Sequence, residues 1–180
     1  MPSTPYDAKG LLKTAIRDEN PVVFFEDKMM YKLKGPVPSE DYTIPFGVAD
    51  VKRAGRDITI VATSSMVQVA LGAAELLEKA GISAEVIDPR TTWPLDEKTL
   101  IESAKKTSRV IVVDEGYGRY GVTGEIAAVI AEGAFYSLEA PVKRIGAMHV
   151  PIPFSPPLED ATVPNEQKVF EAARAVCGRQ

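Results

Sequence analysis

The stretch ITIVATSSMVQVALGAAELLEKAGISAEVID, Ile58 to Asp88, decides the fold class. Ile58 to Ala62 is a short apolar, β-branched run of the kind that forms a strand buried on both faces. The period then changes. Met66, Ala70, Ala73 and Leu77 recur at helical spacing, which predicts one buried stripe on a helix running to about Ala80. Ser65 to Gln68 reads as a capping box for the start of that helix. Gly81 supplies the left-handed residue that commonly stops one, and a second strand is expected at Ala84 to Ile87. Strand, helix and strand at this spacing make a right-handed crossover between parallel strands.

Downstream the alternation continues. Asp96 is placed to cap a helix through about Lys106, with Leu100, Ile101 and Ala104 facing inward and Lys105 and Lys106 at the negative end of the helix dipole. Arg109 to Val113 is a third strand, Ile126, Val129, Ile130 and Gly133 define a third helix, and Val142 to Ile145 is a fourth strand. Val150 to Pro164 is expected to be irregular because Pro151, Pro153, Pro156 and Pro157 lack a ladder donor. Glu166 to Val176 closes the chain as a helix. The predicted class is α/β, a three-layer α/β/α domain with a mostly parallel sheet.

The front fits less well. Asp7 to Asp18 reads as an amphipathic helix with Leu11, Leu12, Ala15 and Ile16 apolar, and Val22 to Phe25 as a strand, but Gly35 to Phe46 is a Pro-rich connector. One helix and one strand do not make a domain. Residues 1–50 are therefore expected to be the tail of an upstream domain plus a linker, ahead of a domain over 51–180, so that the chain looks truncated at its front.

Composition narrows the function classes. With 180 residues, 45% apolar and 26% charged, the chain matches an ordinary globular protein. No apolar run approaches the roughly 18 residues needed to span a bilayer, and no basic-then-apolar leader follows Met1, so the cytoplasm is the expected location. A net charge of −4 with interspersed signs argues against nucleic acid as a partner. Cys177 is the one cysteine and His149 the one histidine, so a disulfide framework or a two-histidine metal site cannot be built from this chain alone.

Val110 to Gly133, VIVVDEGYGRYGVTGEIAAVIAEG, contains G-x-G-x-x-G at Gly116, Gly118 and Gly121. A dinucleotide fingerprint sits at the first strand-to-helix turn, whereas this one follows the third strand. Asp114 and Glu115 also place two carboxylates where a pyrophosphate would approach. A dinucleotide-binding domain is thus the weaker alternative. The glycines are read instead as supplying positive φ angles in a turn, with Arg119, Tyr117 and Tyr120 forming a polar, aromatic contact surface.

VIDPRTTWPLD, Val86 to Asp96, resembles a strand-end motif in the C-terminal domain of the transketolase-like beta subunits of thiamine-diphosphate-dependent 2-oxo acid dehydrogenases. Asp88, Arg90, Thr91, Pro94 and Asp96 match it. DAKGLLKTAIRDENPVVFFEDK (Asp7 to Lys28), IPFGVADVKRAGRDITIVA and LEAPVKRI fall in matching order, so the resemblance covers nearly the whole chain. HVPIPFSPPLED, His149 to Asp160, is most similar to the acetoin dehydrogenase branch rather than to the pyruvate or branched-chain enzymes.

The resemblance implies a transketolase C-terminal-like fold and a role in oxidative decarboxylation of a 2-oxo acid, or cleavage of acetoin, with acyl transfer to a lipoyl group. It also implies that the glutamate activating the thiamine and the site for the diphosphate and Mg2+ lie on other polypeptide, so that no catalytic or cofactor-binding residue is expected here. The implied partners are an alpha subunit, a second beta subunit and the dihydrolipoyl acyltransferase, with a homodimer when the chain is isolated. Glu139, in the segment LEAPV, is the residue implied for acyltransferase docking. Ala15, Ile16, Asp18 and Asn20 match a run that holds a structural K+ in some members.

Arg119, Tyr120 and His149 are the further candidates for partner contact. His149 is read as an interface or hydrogen-bonded residue, Asp88 and Arg90 as parts of an ion pair within the chain or across subunits, and Trp93 as a packing anchor. The alternative of a different class is a free-standing, non-catalytic dimerisation or docking module.

Overall fold

The computed structural model describes residues 1–178. Five strands form one sheet in the order β1-β3-β2-β4-β5, comprising β1 (Asp50–Arg53), β2 (Ile58–Ala62), β3 (Ala84–Asp88), β4 (Val110–Tyr117) and β5 (Lys143–Ala147). β2, β3, β4 and β5 are parallel to their neighbours, and β1 is antiparallel on the edge of β3. The three-layer reading is correct. Alternation along β2 explains why: Ile58, Ile60 and Ala62 point to one face and Val61 to the other, so each face requires its own cover.

Helices α2 (Met66–Lys79) and α6 (Glu166–Val176) cover the first face, with Val67, Ala70, Ala73, Leu77, Val169 and Ala173 buried against Ile60, Val86, Ile111 and Val113. α3 (Glu97–Thr107) and α4 (Val122–Ala134) cover the second, where Leu100, Ala104, Ile126 and Ile130 meet Val61, Ile87, Val110 and Val112. Each large aliphatic buried this way contributes about 1.5–3 kcal/mol relative to exposure. The second face also holds polar groups that satisfy one another. Thr59 bonds Ser103 and Thr107, while Glu85 accepts from Ser103 and Lys106. Asp96 caps α3 by accepting from the Thr99 amide at 3.1 Å, and Gly81 follows α2 at φ 74°.

α1 (Pro5–Arg17) belongs to neither core. It packs instead on the connector that follows. Tyr6 stacks on Tyr42 at 4.6 Å, Thr14 donates to the Ile44 carbonyl at 2.6 Å, and a Cβ on Gly10 would meet Ile44 and Tyr42. Lys13 and Arg17 both pair with Asp41.

Several expectations from the sequence are corrected. Val22 to Phe25 forms no strand, because no neighbouring strand is present among the described residues to complete a ladder; a 3-10 turn at Lys28–Lys32 follows it. Ser65 makes no cap: its hydroxyl donates to Glu115 at 2.8 Å instead, and the α2 start is bonded to the Thr63 and Ser64 carbonyls. The third strand continues through Gly116 to Tyr117. The Pro-rich span contains α5 (Pro156–Thr162), which tolerates Pro156 and Pro157 because the first helical turn has no partner for their missing amides. The edge strand β1 has no counterpart among the strands expected from the sequence.

Candidate functional site: a charged joint and two exposed faces

The carboxyl end of β3 faces the start of α1, and charges from four segments converge between them. Asp7 of α1 is fully buried and lies 2.7 Å from Lys52 Nζ of β1; Arg90, just beyond β3, donates to its Oδ1 at 2.8 and 2.9 Å. Asp50 accepts from both cations, at 2.7 Å from Lys52 and 2.9 Å from Arg90. Asp88, also buried, accepts from the Ser3 hydroxyl and from the Arg90 amide at 2.8 Å. The Met1 amine donates to the Arg90 carbonyl at 2.9 Å. Of the two expected forms of ion pair, Arg90 makes the one within the chain, with Asp7 and Asp50 rather than Asp88.

Arg90 adopts φ 61°, a left-handed conformation that a residue with a side chain enters at a cost. The ion pairs hold it there. Burial alone would raise the Asp7 carboxyl, but hydrogen bonds from Lys52 and Thr4 and the Lys52 and Arg90 charges outweigh it and keep Asp7 below the usual aspartate value. For Asp88 burial dominates: despite the Ser3 and Arg90 amide bonds and the nearby Lys52 charge, its carboxyl is pushed upward.

The glycine stretch takes an unexpected form. None of Gly116, Gly118 and Gly121 has a positive φ; that conformation falls on Tyr120 at 58°. Close approach instead demands two of them, since a Cβ on Gly121 would run into the Tyr117 carbonyl oxygen and one on Gly116 would lie 2.8 Å from Asp114 Oδ1, while Gly118 faces open space. A Cβ on Gly146 of β5 would lie 2.7 Å from the Gly116 carbonyl oxygen and 2.8 Å from the Gly118 amide, where the β4–β5 register slips. The Gly116 amide already donates to Asp114 at 2.7 Å, Asp114 accepts from Thr63, and Glu115 from Ser65. A dinucleotide diphosphate would meet two engaged carboxylates here, so the geometry opposes that alternative.

Two regions expose apolar surface. At the β4 and β5 ends, Tyr120 is 107% and Phe154 101% exposed, alongside Arg119, Met148 and Val150. His149 is exposed and stands edge-on to Tyr117 at 5.3 Å, while the Tyr117 hydroxyl donates to the Val150 carbonyl at 3.0 Å. Arg119, Tyr120 and His149 are therefore brought to one end of the sheet. At the front, Ile16, Val23, Phe25 and Met29 are exposed, and Trp93 is 88% exposed, which corrects its reading as a packing anchor. A groove of about 550 Å³ runs between Asp18 to Phe25 and the Thr91 to Pro94 turn.

Asp18 accepts from the Asn20 amide at 2.8 Å and from its side chain at 3.0 Å, and Ala15 and Ile16 lie in the last turn of α1. Among the described residues no group of three or more His, Cys, Asp or Glu side chains is arranged to hold a metal. Glu139 is far from bare: Arg109, just before β4, pairs with it.

A family model described as "Transketolase, C-terminal domain" matches residues 47–169. The chain belongs to the transketolase C-terminal domain family. It is 49% identical to the acetoin:2,6-dichlorophenolindophenol oxidoreductase subunit beta of Bacillus subtilis, over 99% of this chain and 52% of that protein. It is 51% identical to the 2-oxoisovalerate dehydrogenase subunit beta of the same organism, over 97% of this chain and 54% of that one. Among solved structures, a chain titled "Split gene transketolase, inactive beta4 tetramer" superposes with a TM-score of 0.65 at 30% identity, over 80% of this chain and 46% of that one. This transketolase C-terminal domain chain thus spans about half the length of the curated relatives it matches. No described helix is long and apolar enough to cross a membrane.

Sequence reasoning missed Asp7, Asp50 and Lys52. A carboxylate opening an otherwise amphipathic helix was the one available signal for Asp7.

Proposed function

We propose that this chain is the assembly half of the beta subunit of a thiamine-diphosphate-dependent dehydrogenase acting on acetoin or a 2-oxo acid, and that it works in the cytoplasm. One observation carries the reading. Both faces of the sheet are sealed by helices, while apolar side chains collect at the two outer regions, Leu12 to Tyr31 with Trp93, and Tyr117 to Tyr120 with Met148 to Phe154. Exposed aromatics in contiguous patches are the composition of contact surfaces. The segment His149 to Asp160 favours acetoin as substrate, while the identities of 49% to an acetoin:2,6-dichlorophenolindophenol oxidoreductase subunit and 51% to a 2-oxoisovalerate dehydrogenase subunit support either class.

The glycine stretch offers no free cradle for a diphosphate, since the amide and carboxylates around Gly116 are engaged with one another. Thiamine diphosphate and Mg2+ are assigned to the alpha subunit and to beta-subunit sequence outside this chain. Arg119, Tyr120 and His149 are assigned to contact with a second beta subunit, and with the same chain when it is isolated. Glu139 is assigned to docking of the dihydrolipoyl acyltransferase, for whose basic residues it would exchange its bond to Arg109. A K+ is assigned to the end of α1, where the carbonyls of Ala15 and Ile16 fall in the last turn that lacks helical partners, beside Asp18 and Asn20.

A second reading, a free-standing and non-catalytic oligomerisation module, is favoured by the 30% identity to a chain titled as an inactive β4 tetramer. Sedimentation and calorimetry test both. We expect a dimer, no heat with thiamine diphosphate alone, and binding of the acyltransferase's subunit-binding domain that weakens about tenfold, or 1.4 kcal/mol, in Glu139→Gln. A strict monomer at high concentration would overturn the assembly reading, and turnover of acetoin by the chain unaided would overturn the assignment of the chemistry elsewhere.

A further inference from the structure

Residues 1–46 and the sheet are joined by charge rather than by apolar packing. Among the described residues, none before Ala49 belongs to either core cluster or packs against one. Leu11 and Ile44 are buried outside both, and the contacts that order the front segment are its own: Lys9 to the Pro38 and Glu40 carbonyls, Lys13 and Arg17 to Asp41, Thr14 to Ile44. What crosses to the sheet is polar. Asp7 reaches Lys52 and Arg90, Ser3 reaches Asp88, and Gln68 donates to the Ser3 carbonyl at 2.9 Å.

We infer that Asp7, Asp50, Lys52, Asp88 and Arg90 form an ionic latch, and that opening it frees residues 1–46 as a unit while the sheet stays folded. Three carboxylates face two side-chain cations, and Asp7 bridges both cations from the front segment, so its loss leaves Lys52 and Arg90 with a half-exposed Asp50 and, for Lys52, the more distant Asp88. Breaking a buried pair by removing one partner is far more costly than the pair is worth intact, because the surviving charge is stranded. Arg90 also carries a left-handed backbone, φ 61°, whose cost its ion pairs and its amide bond to Asp88 offset. The two cores contain none of these groups, so they have no reason to open with the latch. Local opening of contiguous units well below the global stability is ordinary behaviour for segments with few apolar contacts. The inference concerns the inside of this chain and stands whether or not the outer surfaces bind the partners assigned above.

Hydrogen exchange followed by mass spectrometry on the full chain, comparing wild type with Asp7→Asn, tests it. Peptides from residues 5–46 should exchange at least about tenfold faster in the variant, while those from α2, β2 and β4 stay within about twofold. Equal acceleration everywhere would mean that the two parts share one cooperative unit, and no acceleration anywhere would mean that the charges do not hold the joint; either result overturns the latch. If Asp7→Asn does not accumulate as folded protein, Asp50→Asn decides by the same criteria. It removes one contact from each cation and should accelerate only the front peptides, by about three- to tenfold.

Discussion

Leu11 and Leu77 are both leucines on the inner faces of helices of nearly equal length, 1% and 0% exposed, yet they hold up different things. α2 buries six residues between the sheet and α6, and every turn has a partner. α1 buries only Asp7, Gly10 and Leu11, leaving Leu12 and Ile16 in solvent. An amphipathic pattern therefore states that a helix has something to cover, but whether that something is within the chain depends on topology. The sharpest way to break the comparison is to delete the same atoms on both sides. Leu77→Ala should lower global stability by about 2–5 kcal/mol, with circular dichroism and every exchange probe shifting together. Leu11→Ala removes as much side chain, but its effect should register in residues 5–46 and leave the denaturation midpoint of the sheet near the wild-type value. A common shift in both variants would show a single cooperative structure.

The same contrast explains what could be read from the chain. Met66, Ala70, Ala73 and Leu77 declare α2 because local periodicity and tertiary burial agree. β1 is polar and four residues long; it exists because the edge of β3 is open, a fact about another segment. Val22 to Phe25 has strand composition and no strand, since pairing is a property of two segments and composition of one. The site was less legible than the fold for a related reason. Arg90 and Asp88 stood out at a strand end, but Asp7 lies 83 residues from Arg90 in sequence and nothing local announces the pairing. The glycine motif was visible while its causes were not: Gly116 and Gly121 make room for the Asp114 carboxylate and the Tyr117 carbonyl, and Gly146, outside the motif, is where the backbones of two strands crowd.

Acid separates the two regions without mutation. Asp7, whose folded value lies below its ordinary 3.8, contributes stability that is present above that ordinary value and lost as pH falls through the lower, folded one. Asp88 is shifted the opposite way. Its burial favours the neutral form, so the stability it contributes is present at low pH and lost as pH rises through the elevated folded value. The groups facing them are Asp50 and Lys52 from β1, Arg90 beyond β3 and the Met1 amine. On acidification from neutrality Asp88 takes its proton first and the joint should hold or tighten slightly; below about pH 4 Asp7 follows and the joint should loosen. Front-segment exchange, corrected for its intrinsic pH dependence, should pass through a shallow minimum that disappears in Asp88→Asn. A monotonic curve in the wild type would remove Asp88 from the latch.

The smallest expected effect on stability lies at the opposite end of the sheet, where the chain tolerates strain in the open rather than under a lid of charges. Tyr120 carries φ 58° with its side chain wholly in solvent, so unlike Arg90 it is not held in that conformation by buried ion pairs. Tyr120→Gly relieves the left-handed penalty of about 1–2 kcal/mol but restores backbone freedom to the unfolded chain, and the two nearly cancel. Stability should therefore change by less than about 1 kcal/mol, in the favourable direction if either way. Self-association should respond much more, because the variant deletes a fully exposed ring of the β4 to β5 surface while leaving Arg119 and His149 in place. A variant as stable as wild type that sediments lighter would assign the strain to the interface. A variant that associates unchanged would leave Tyr120 with a strained backbone for which no structural reason exists.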